Sequence, residues 1–258
     1  YKTKDTKNPD YARAKEEYEK EASEAKRNKA FYQQLIETAD FADKAVRKIV
    51  DKDTYTLEDI EKATKGKSYD AMTTDMIGFM KELLARANDN EEIKKELKEG
   101  VDYFDTKLKY HLGLDFSPRK TILKDDENDF SKKYYGNNNV IGPDSKEAFN
   151  GTHVAGIIAA ERNNGIGMDG VANSVWIMPV RAVPDGDEYD KDVALALRYA
   201  VDNGAKVINT SFGKGFSPHK EWVYDAIKYA ASKDVLIVNA AGNDSQDIDV
   251  KDTYPNDE

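Results

Sequence analysis

Apolar side chains recur every three or four residues through the first 112 residues, and charged side chains fill most positions between them. This spacing is typical of amphipathic helices. We expect a first helix that begins after Asp10 as its N-cap, and a second that begins with the capping-box sequence of residues 56–59. Two more helices follow, so residues 1–112 should form a charged helical hairpin or small bundle. The apolar positions that mark the first, third and fourth helices are Tyr11, Tyr18, Phe31, Leu35, Ala39, Ala42, Val46, Met76, Ile77, Phe79, Met80, Leu83, Leu84, Ile93, Leu97, Val101, Phe104 and Leu108.

Residues 113–149 lack this periodicity. Pro118, Pro143 and the glycine–asparagine run at 136–139 are typical of loops, and they predict a long irregular connection. The acidic run at 125–129 has oxygen ligands for a hard cation, but it lacks the glycine and the final glutamate of an EF-hand loop. A solvated acidic loop is the favoured interpretation.

The pattern changes again after residue 149. Short, nearly continuous apolar runs, which are typical of strands buried on both faces of a parallel sheet, occur at residues 175–183, 205–212 and 235–241. Helical periodicity occurs between them, at residues 193–201 and 222–231. Strands that alternate with helices predict an α/β fold with a doubly wound parallel sheet.

Composition excludes several classes of function. Among 258 residues, 49 are acidic and 39 are basic, and this balance argues against a nucleic-acid partner. There is no cysteine, which excludes disulfides, a thiol nucleophile and a cysteine-based zinc site. No apolar run approaches the roughly 20 residues that span a bilayer, so we expect no membrane span. The sequence starts at Tyr1 without a methionine or a signal peptide, and we expect a fragment, a mature form or a shortened version of a longer protein.

Three segments carry candidate chemistry. Ligands of doubly wound folds bind at the carboxyl ends of strands, which directs attention to residues 209–213 and 240–244. In the second of these, Gly242 permits close approach of the backbone, and Asn243 supplies a neutral amide donor. The third segment, residues 150–156, opens a short apolar helix with Asn150 as a natural N-cap. Taken singly, each segment also has a purely structural interpretation as a cap, a turn or a close strand–helix contact.

Taken together and in order, these segments resemble the subtilisin-like serine peptidases. Residues 150–156, Asn-Gly-Thr-His-Val-Ala-Gly, are similar to the family motif His-Gly-Thr-His-Val-Ala-Gly. Residues 162–172 resemble the loop that leads to the next strand, and 209–213 resemble the substrate-binding strand end. Residues 240–243 resemble the oxyanion-hole segment, and Tyr-Pro follows at 254–255 as it does in the family.

The resemblance implies a domain organisation and a set of roles. Residues 150–258 would be part of a subtilisin-like peptidase domain, 113–149 a connection, and 1–112 a helical insertion that precedes the histidine motif. Ser211, Phe212 and Gly213 would bind the substrate backbone, and Asn243 would stabilise the oxyanion. Enzymes of this family use a serine nucleophile, a histidine base and an orienting aspartate. The family's aspartate and serine motifs do not occur in this sequence.

Asn150 stands where the family has its catalytic histidine. An amide does not titrate near neutral pH and cannot serve as the general base. His153 lies one helical turn further on, and the resemblance makes it a structural residue, while His219 is expected to be a surface residue. Two explanations of Asn150 remain open: a deliberate inactivating substitution in a serine endopeptidase, or a natural pseudoprotease that binds peptides as a scaffold. A third hypothesis makes the helical segment an interaction module that binds a partner or covers the cleft.

The resemblance also suggests ligands, partners and a location. No cofactor is required, but calcium is an additional expectation, with the side chain of Asn164 and the carbonyl groups of Ile166 and Met168 matching part of a calcium loop. A simple glycine-rich turn is the alternative interpretation of this segment. The expected partners are a peptide or protein substrate and the missing remainder of the peptidase domain, from the same gene or a second chain. Without that remainder the chain should expose apolar strand edges and should not fold by itself. The family resemblance points to the cell envelope or the extracellular space.

Overall fold

A computed structural model describes residues 6–183, 188–243 and 245–256. The chain divides into two compact units, Tyr1–Phe116 and Ser117–Glu258. Within the described residues, no helix combines the length and the apolar character needed to cross a membrane.

The first unit consists of helices. They are α1 (Tyr11–Val50), α2 (Leu57–Thr64), α3 (Ala71–Leu84) and α4 (Asn90–Thr106), followed by a π-helical turn at Lys107–His111. The four helices expected from the apolar spacing are therefore confirmed.

Two predicted N-caps have different outcomes. The capping box is confirmed: the Thr56 hydroxyl accepts from the backbone N–H of Asp59, whose carboxylate accepts in turn from the N–H of Thr56. Asp10 does occupy the N-cap of α1, but it does not cap the helix with its side chain. Asp10 already has helical backbone angles and its side chain accepts no capping hydrogen bond, because the chain turns earlier, at Asn8, whose carbonyl accepts from the N–H of Tyr11.

The core of this unit forms where α1 packs against the three shorter helices. Its members are apolar residues from all four helices and from the link between the first two. They are Ala39, Ala42, Val46, Tyr55, Ile60, Ile77, Met80, Leu84, Ile93 and Leu97.

A buried polar network crosses the same core. The Asp43 carboxylate accepts from the Tyr55 hydroxyl at 2.9 Å, the Asn90 amide at 2.9 Å, Lys94 Nζ at 2.7 Å and Arg47 Nε at 2.8 Å. Burial acts to raise the pKa of the Asp43 carboxyl, but these four hydrogen bonds outweigh it, and the pKa lies below its ordinary value. The network ties α1, α4 and the link between α1 and α2 to one carboxylate.

Among its described residues, the second unit contains three α-helices and two strands, besides a π-helical turn at Arg119–Leu123 and a 3-10 turn at Ser145–Ala148. The α-helices and strands are α5 (Phe149–Ala159), α6 (Asp190–Asp202), β1 (Val207–Thr210), α7 (Lys220–Ser232) and β2 (Leu236–Asn239). The strands pair in parallel with Val207 opposite Leu236 and Thr210 opposite Asn239.

Helices cover one face of this sheet and leave the other open. Ile208 and Ile237 pack against a buried cluster contributed by α6 and α7, made of Val193, Ala194, Leu197, Val223 and Ala226. On the other face, Val207 and Leu236 are each 60% exposed and Val238 is 47% exposed. The α/β character is confirmed, but the described residues contain a two-stranded parallel sheet rather than a doubly wound one.

The predicted strand at residues 175–183 is wrong. The segment forms no strand, and Trp176 is fully exposed. A strand needs a neighbour to satisfy its backbone groups, and in the described chain β1 and β2 pair with each other rather than with this segment.

The acidic connection is also different from the expected solvated loop. Asp125 is buried and ion-paired with Arg119 and with Lys191 Nζ, the latter at 2.7 Å, while Arg119 also pairs with Asp192, which accepts from the Tyr135 hydroxyl. Burial acts to raise the pKa of the Asp125 carboxyl. Lys191 and Arg119 lower it by more than burial raises it, so the pKa lies below its ordinary value. We call these five residues the ionic cluster; it holds the connection against the start of α6.

Tyr55→Phe should lower the free energy of unfolding of the helical unit by about 1–2 kcal/mol, because the hydroxyl that Asp43 loses cannot be replaced by water in the core. Urea denaturation followed by far-ultraviolet circular dichroism measures this change. Tyr103→Phe is the matched control, since Tyr103 is 63% exposed, and it should change the stability by less than about 0.5 kcal/mol. Equal effects of the two variants would contradict the assignment.

The same network should make the helical unit sensitive to acid. Because the folded pKa of Asp43 is depressed, its contribution is complete above the unfolded pKa of about 3.9 and is lost as the pH falls through the lower folded value. The stability difference between the parent and Asp43→Asn should therefore be large at neutral pH and should narrow below about pH 4. Urea titrations across this pH range measure the difference; a constant difference would contradict the prediction.

The open face of the sheet should bind an apolar fluorescent dye when this chain is studied alone. Leu236→Gln should lower the dye fluorescence, because it removes one of the exposed apolar side chains of that face. Met72→Gln is the control: Met72 is 55% exposed but lies in the helical unit, whose apolar core is enclosed. A chain that binds no dye and unfolds in one cooperative thermal transition would contradict the expectation.

Candidate functional site

The two strand ends form the geometric centre of the candidate site. Ser211 directly follows β1 and Ala240 directly follows β2. The pairing of Thr210 with Asn239 continues into a hydrogen bond from the N–H of Ala240 to the carbonyl of Thr210, at 3.1 Å. Segments 211–213 and 240–243 therefore leave the sheet side by side, where ligands of parallel sheets bind.

An amide network ties these ends to the last described segment of the chain. Thr210, which is buried, donates its hydroxyl to the side-chain oxygen of Asn239. Asn239 donates to the side-chain oxygen of Asn256 at 2.6 Å, and Asn256 donates back to the carbonyl of Ala240 at 2.9 Å. The network thus fixes the start of the segment that carries Asn243.

Asn239 and Asn256 were not among the residues singled out from the sequence. Asn239 gave one signal, since an amide ends an otherwise apolar run that was expected to be a buried strand. Such a group must find a partner when it is shielded from water. Asn256 gave none, because its role depends on a contact with residues far away in the chain.

The candidate substrate-binding residues lie together and differ in exposure. Ser211 is exposed and its hydroxyl accepts from the Asn209 amide at 2.8 Å. Phe212 is half-buried and packs on the α6–α7 cluster. At Gly213 a Cβ would lie 3.3 Å from the carbonyl oxygen of Tyr254, which leaves little room for a side chain.

A small pocket that is partly open to solvent lies beside these residues. Its lining is mostly apolar and combines residues from α6, the segment after β1, α7 and the Tyr-Pro segment. The lining residues are Glu188, Asp190, Val193, Phe212, Gly213, Lys214, Ser217, Val223, Tyr224, Tyr254 and Pro255.

The candidate oxyanion residue lies at the second strand end. Gly242 has φ +100°, a conformation that side chains with a Cβ rarely adopt, and Asn243 follows it in an exposed position. An exposed amide at the carboxyl end of a strand can donate to a developing negative charge on a bound carbonyl oxygen.

Asn150 is placed differently from the sequence expectation. Ala148 occupies the N-cap of α5 and Asn150 lies inside the first turn, so its prediction as the cap is wrong. The reason is that a 3-10 turn at Ser145–Ala148 leads straight into α5, so that the helix begins two residues earlier in the chain than expected. Asn150 is exposed, and the ring of the exposed His153 stacks on Phe149 with centroids 5.8 Å apart.

Among the described residues, no hydrogen bond joins Asn150 to the strand ends. The hydrogen bonds at the end of α5 go to its own continuation: Val171 N–H donates to the carbonyl of Ile157 at 2.9 Å, and Ala172 N–H to that of Ile158 at 2.8 Å. Gly170 permits this return, since a Cβ there would lie 2.4 Å from the backbone nitrogen of Ala160. None of the residues of α5, all of which are described, is buried.

His219 is not the simple surface residue that the sequence suggested. Its ring is half-buried and stacks on Trp222 at a centroid distance of 4.1 Å, and its Nε2 lies 2.7 Å from the side-chain oxygen of Asn128. These contacts give the imidazole a packing role at the start of α7.

The candidate calcium loop has suitable chemistry but few ligands. The Asn164 side-chain oxygen accepts from the N–H of Ile166 at 2.9 Å, and Ile166 and Met168 are both strongly exposed. Calcium takes six to eight oxygen ligands in proteins. No group of three or more His, Asp or Glu side chains suited to a metal ion occurs in the part of the chain that the structure describes, so further ligands would have to come from another segment.

Comparison with known proteins places these features in a family. A thermophilic serine proteinase from Bacillus sp. strain AK1 is 46% identical over 94 residues, covering 36% of this chain and 23% of that protein. The cell wall-associated protease of Bacillus subtilis strain 168 is 43% identical over 119 residues, covering 46% of this chain and 13% of that protein. Thermitase from Thermoactinomyces vulgaris is 40% identical over 94 residues, covering 36% of this chain and 33% of that protein.

The chain therefore spans a third or less of the length of these relatives. No solved structure gives a significant match. The family model for subtilases matches residues 50–257, which is most of the chain and includes both strand ends and the histidine-like motif. On this match the chain belongs to the subtilase family of peptidases, peptidase family S8.

Proposed function

We propose that this chain is a segment of a subtilisin-like serine endopeptidase, a hydrolase that cleaves peptide bonds in proteins. The observation that supports it best is the side-by-side arrangement of segments 211–213 and 240–243 at the carboxyl ends of two paired strands. This is the arrangement that peptide binding and oxyanion stabilisation need.

Each segment has a definite task in this proposal. The backbone of Ser211, Phe212 and Gly213 pairs with an extended peptide, which supplies affinity through main-chain hydrogen bonds. The Asn243 amide donates to the carbonyl oxygen that becomes negatively charged as the nucleophile attacks. A donor fixed in advance stabilises that charge without further reorganisation.

With asparagine at position 150, the chain would not turn over substrate. The position of the base carries an amide, which cannot take the proton of a serine hydroxyl. The nucleophile and the orienting aspartate would come from the family's flanking motifs. We favour a replaced histidine in an otherwise functional enzyme, because Asn243 and segment 211–213 keep the residue types that catalysis requires.

The remainder of the peptidase domain is the first partner that this proposal requires. Apolar side chains are exposed at three places: the open sheet face, helix α5 and segment 175–183. Additional strands and helices of the same domain, from the same gene or a second chain, would cover these surfaces and bring Asn150 to the strand ends. The doubly wound sheet expected from the apolar runs would be completed in the same way.

Three further features belong to the proposal. Calcium would bind the loop around Asn164 with the carbonyl groups of Ile166 and Met168, once ligands from another segment complete its shell. An extracellular or envelope location agrees with relatives that are named extracellular or cell wall-associated proteases. Residues 1–112 would be a helical insertion that binds a partner or controls access to the cleft.

A natural pseudoprotease is the second candidate, and Asn150 is the observation that favours it. Such a protein would bind peptides at the same strand ends without cutting them. The two proposals differ in one measurable respect, which is what a histidine at position 150 does.

The test uses the complete protein with its flanking aspartate and serine motifs. The Asn150 form should bind peptides without hydrolysing them, whereas Asn150→His should hydrolyse them, with a rate that rises as the pH passes the histidine pKa of about 6.5. Asn150→Gln is the matched control and should stay inactive, because it also cannot titrate. Hydrolysis of a fluorogenic peptide measures all three.

Asn243→Ala, placed in the Asn150→His background, should lower kcat by about 10²–10³, the usual cost of one oxyanion donor. Peptide binding without hydrolysis in Asn150→His would support the pseudoprotease instead. Absence of both binding and hydrolysis would contradict both proposals.

A further inference from the structure

The carboxylate of Asp190 gathers hydrogen bonds from one short loop. Asp190 is the first residue of α6 and is 5% exposed. Its Oδ1 accepts from Lys214 Nζ at 2.7 Å and from the Ser217 hydroxyl at 2.7 Å, and its Oδ2 accepts from the backbone N–H of His219 at 2.8 Å. All three donors belong to residues 214–219, which we call the anchor loop.

The anchor loop directly continues the segment proposed to bind the peptide backbone. Gly213 ends that segment and Lys214 begins the loop. The backbone of Lys214 is also fixed on its other side, because it exchanges two hydrogen bonds with Tyr254, at 3.1 and 2.9 Å. The chain leaving β1 is thus held by Tyr254 from one side and by Asp190 from the other.

Asp190 is itself held in place by its neighbours in sequence. The next two residues, Lys191 and Asp192, belong to the ionic cluster with Arg119, Asp125 and Tyr135. The side chain of Lys191 is fully buried. The first turn of α6 therefore provides a fixed point, and a carboxylate on a fixed point can determine where its partners lie.

We propose that Asp190 is a positioning residue for peptide binding: it sets the path of the anchor loop and, through it, the backbone of residues 211–213. It need not contact the peptide. The effect on peptide binding rests on the proposed function. The contacts between Asp190 and the anchor loop do not depend on catalysis.

A buried ion pair could instead serve stability alone, since removing one partner of such a pair commonly destabilises a protein. The two roles differ in what they affect. A stability role lowers resistance to unfolding throughout the unit. A positioning role loosens residues 211–219 in the folded state and weakens substrate binding, while the catalytic groups keep their rate.

The first measurement is amide hydrogen exchange on the complete protein. Asp190→Asn keeps the size of the side chain but turns one of the two acceptor oxygens into an NH₂ group, which cannot accept from Lys214, Ser217 or the N–H of His219, and it removes the charge opposite Lys214. The amides of residues 211–217 and 219 should exchange at least about tenfold faster than in the parent. The control is Asp202→Asn, at the other end of α6, which removes the charge from the acceptor of the Tyr229 hydroxyl but should leave these amides unchanged.

The second measurement is kinetic and uses the Asn150→His background. Asp190→Asn should raise KM for an extended peptide about tenfold, with kcat changed by less than about twofold. Lys214→Ala should raise KM by a smaller factor. The double variant Asp190→Ala with Lys214→Ala should show a KM close to that of Asp190→Ala alone, because both changes break the same contact. Ser217→Ala, which removes a single donor, is the milder variant if Asp190 variants do not fold.

The outcomes distinguish a failure of the positioning role from a failure of the proposed function. Equal exchange in Asp190→Asn and Asp202→Asn would overturn the positioning role, and so would a loosened loop with unchanged KM. A fall in kcat at constant KM would also overturn it. If no variant hydrolyses peptides, including the Asn150→His parent, the proposed function fails, and the exchange measurement still decides whether Asp190 holds the loop.

Discussion

The parallel pairing of β1 with β2 is the interaction on which the candidate site depends. Its register places Thr210 beside Asn239, so that both strands end at the same level and their continuations emerge together. The same register turns Ile208 and Ile237 toward the helices. A shift by one residue would turn these side chains to the open face and would separate the strand ends. The hydrophobic contact with α6 and α7 therefore also sets the geometry of the site.

Features that depend on neighbours in sequence could be predicted from the sequence. The helices of the first unit follow from a local spacing, and the capping box at Thr56 needs only residues within one turn. The strand expected at 175–183 has an equally clear apolar pattern, but a strand also needs a partner, and a pattern does not name one. Asp125 was misjudged for a similar reason, since its partner Lys191 lies 66 residues away.

The candidate site shows the same division. The order of the motifs located Asn243 and segment 211–213 because their residue types are characteristic and lie at strand ends. The groups that hydrogen-bond to these strand ends or to residues 214–219 are Asn239, Asn256 and Asp190; they connect distant segments and have no motif of their own. The prediction of Asn150 as the N-cap of α5 was wrong by two residues, because a preceding 3-10 turn is not visible in the apolar spacing.

The ionic cluster restricts how this protein can be recombined. Two cations, Arg119 and Lys191, are balanced by the carboxylates of Asp125 and Asp192, and one cation and one anion come from each side of the contact between the connection and α6. Exchanging the connection for one that lacks an acidic residue at position 125 would leave Lys191 buried without this counterion, which is strongly unfavourable. A helical unit transferred to a different peptidase together with its connection would therefore have to bring positions 191 and 192 with it. The segment that has to be exchanged as a whole is thus longer than the segment that folds as helices.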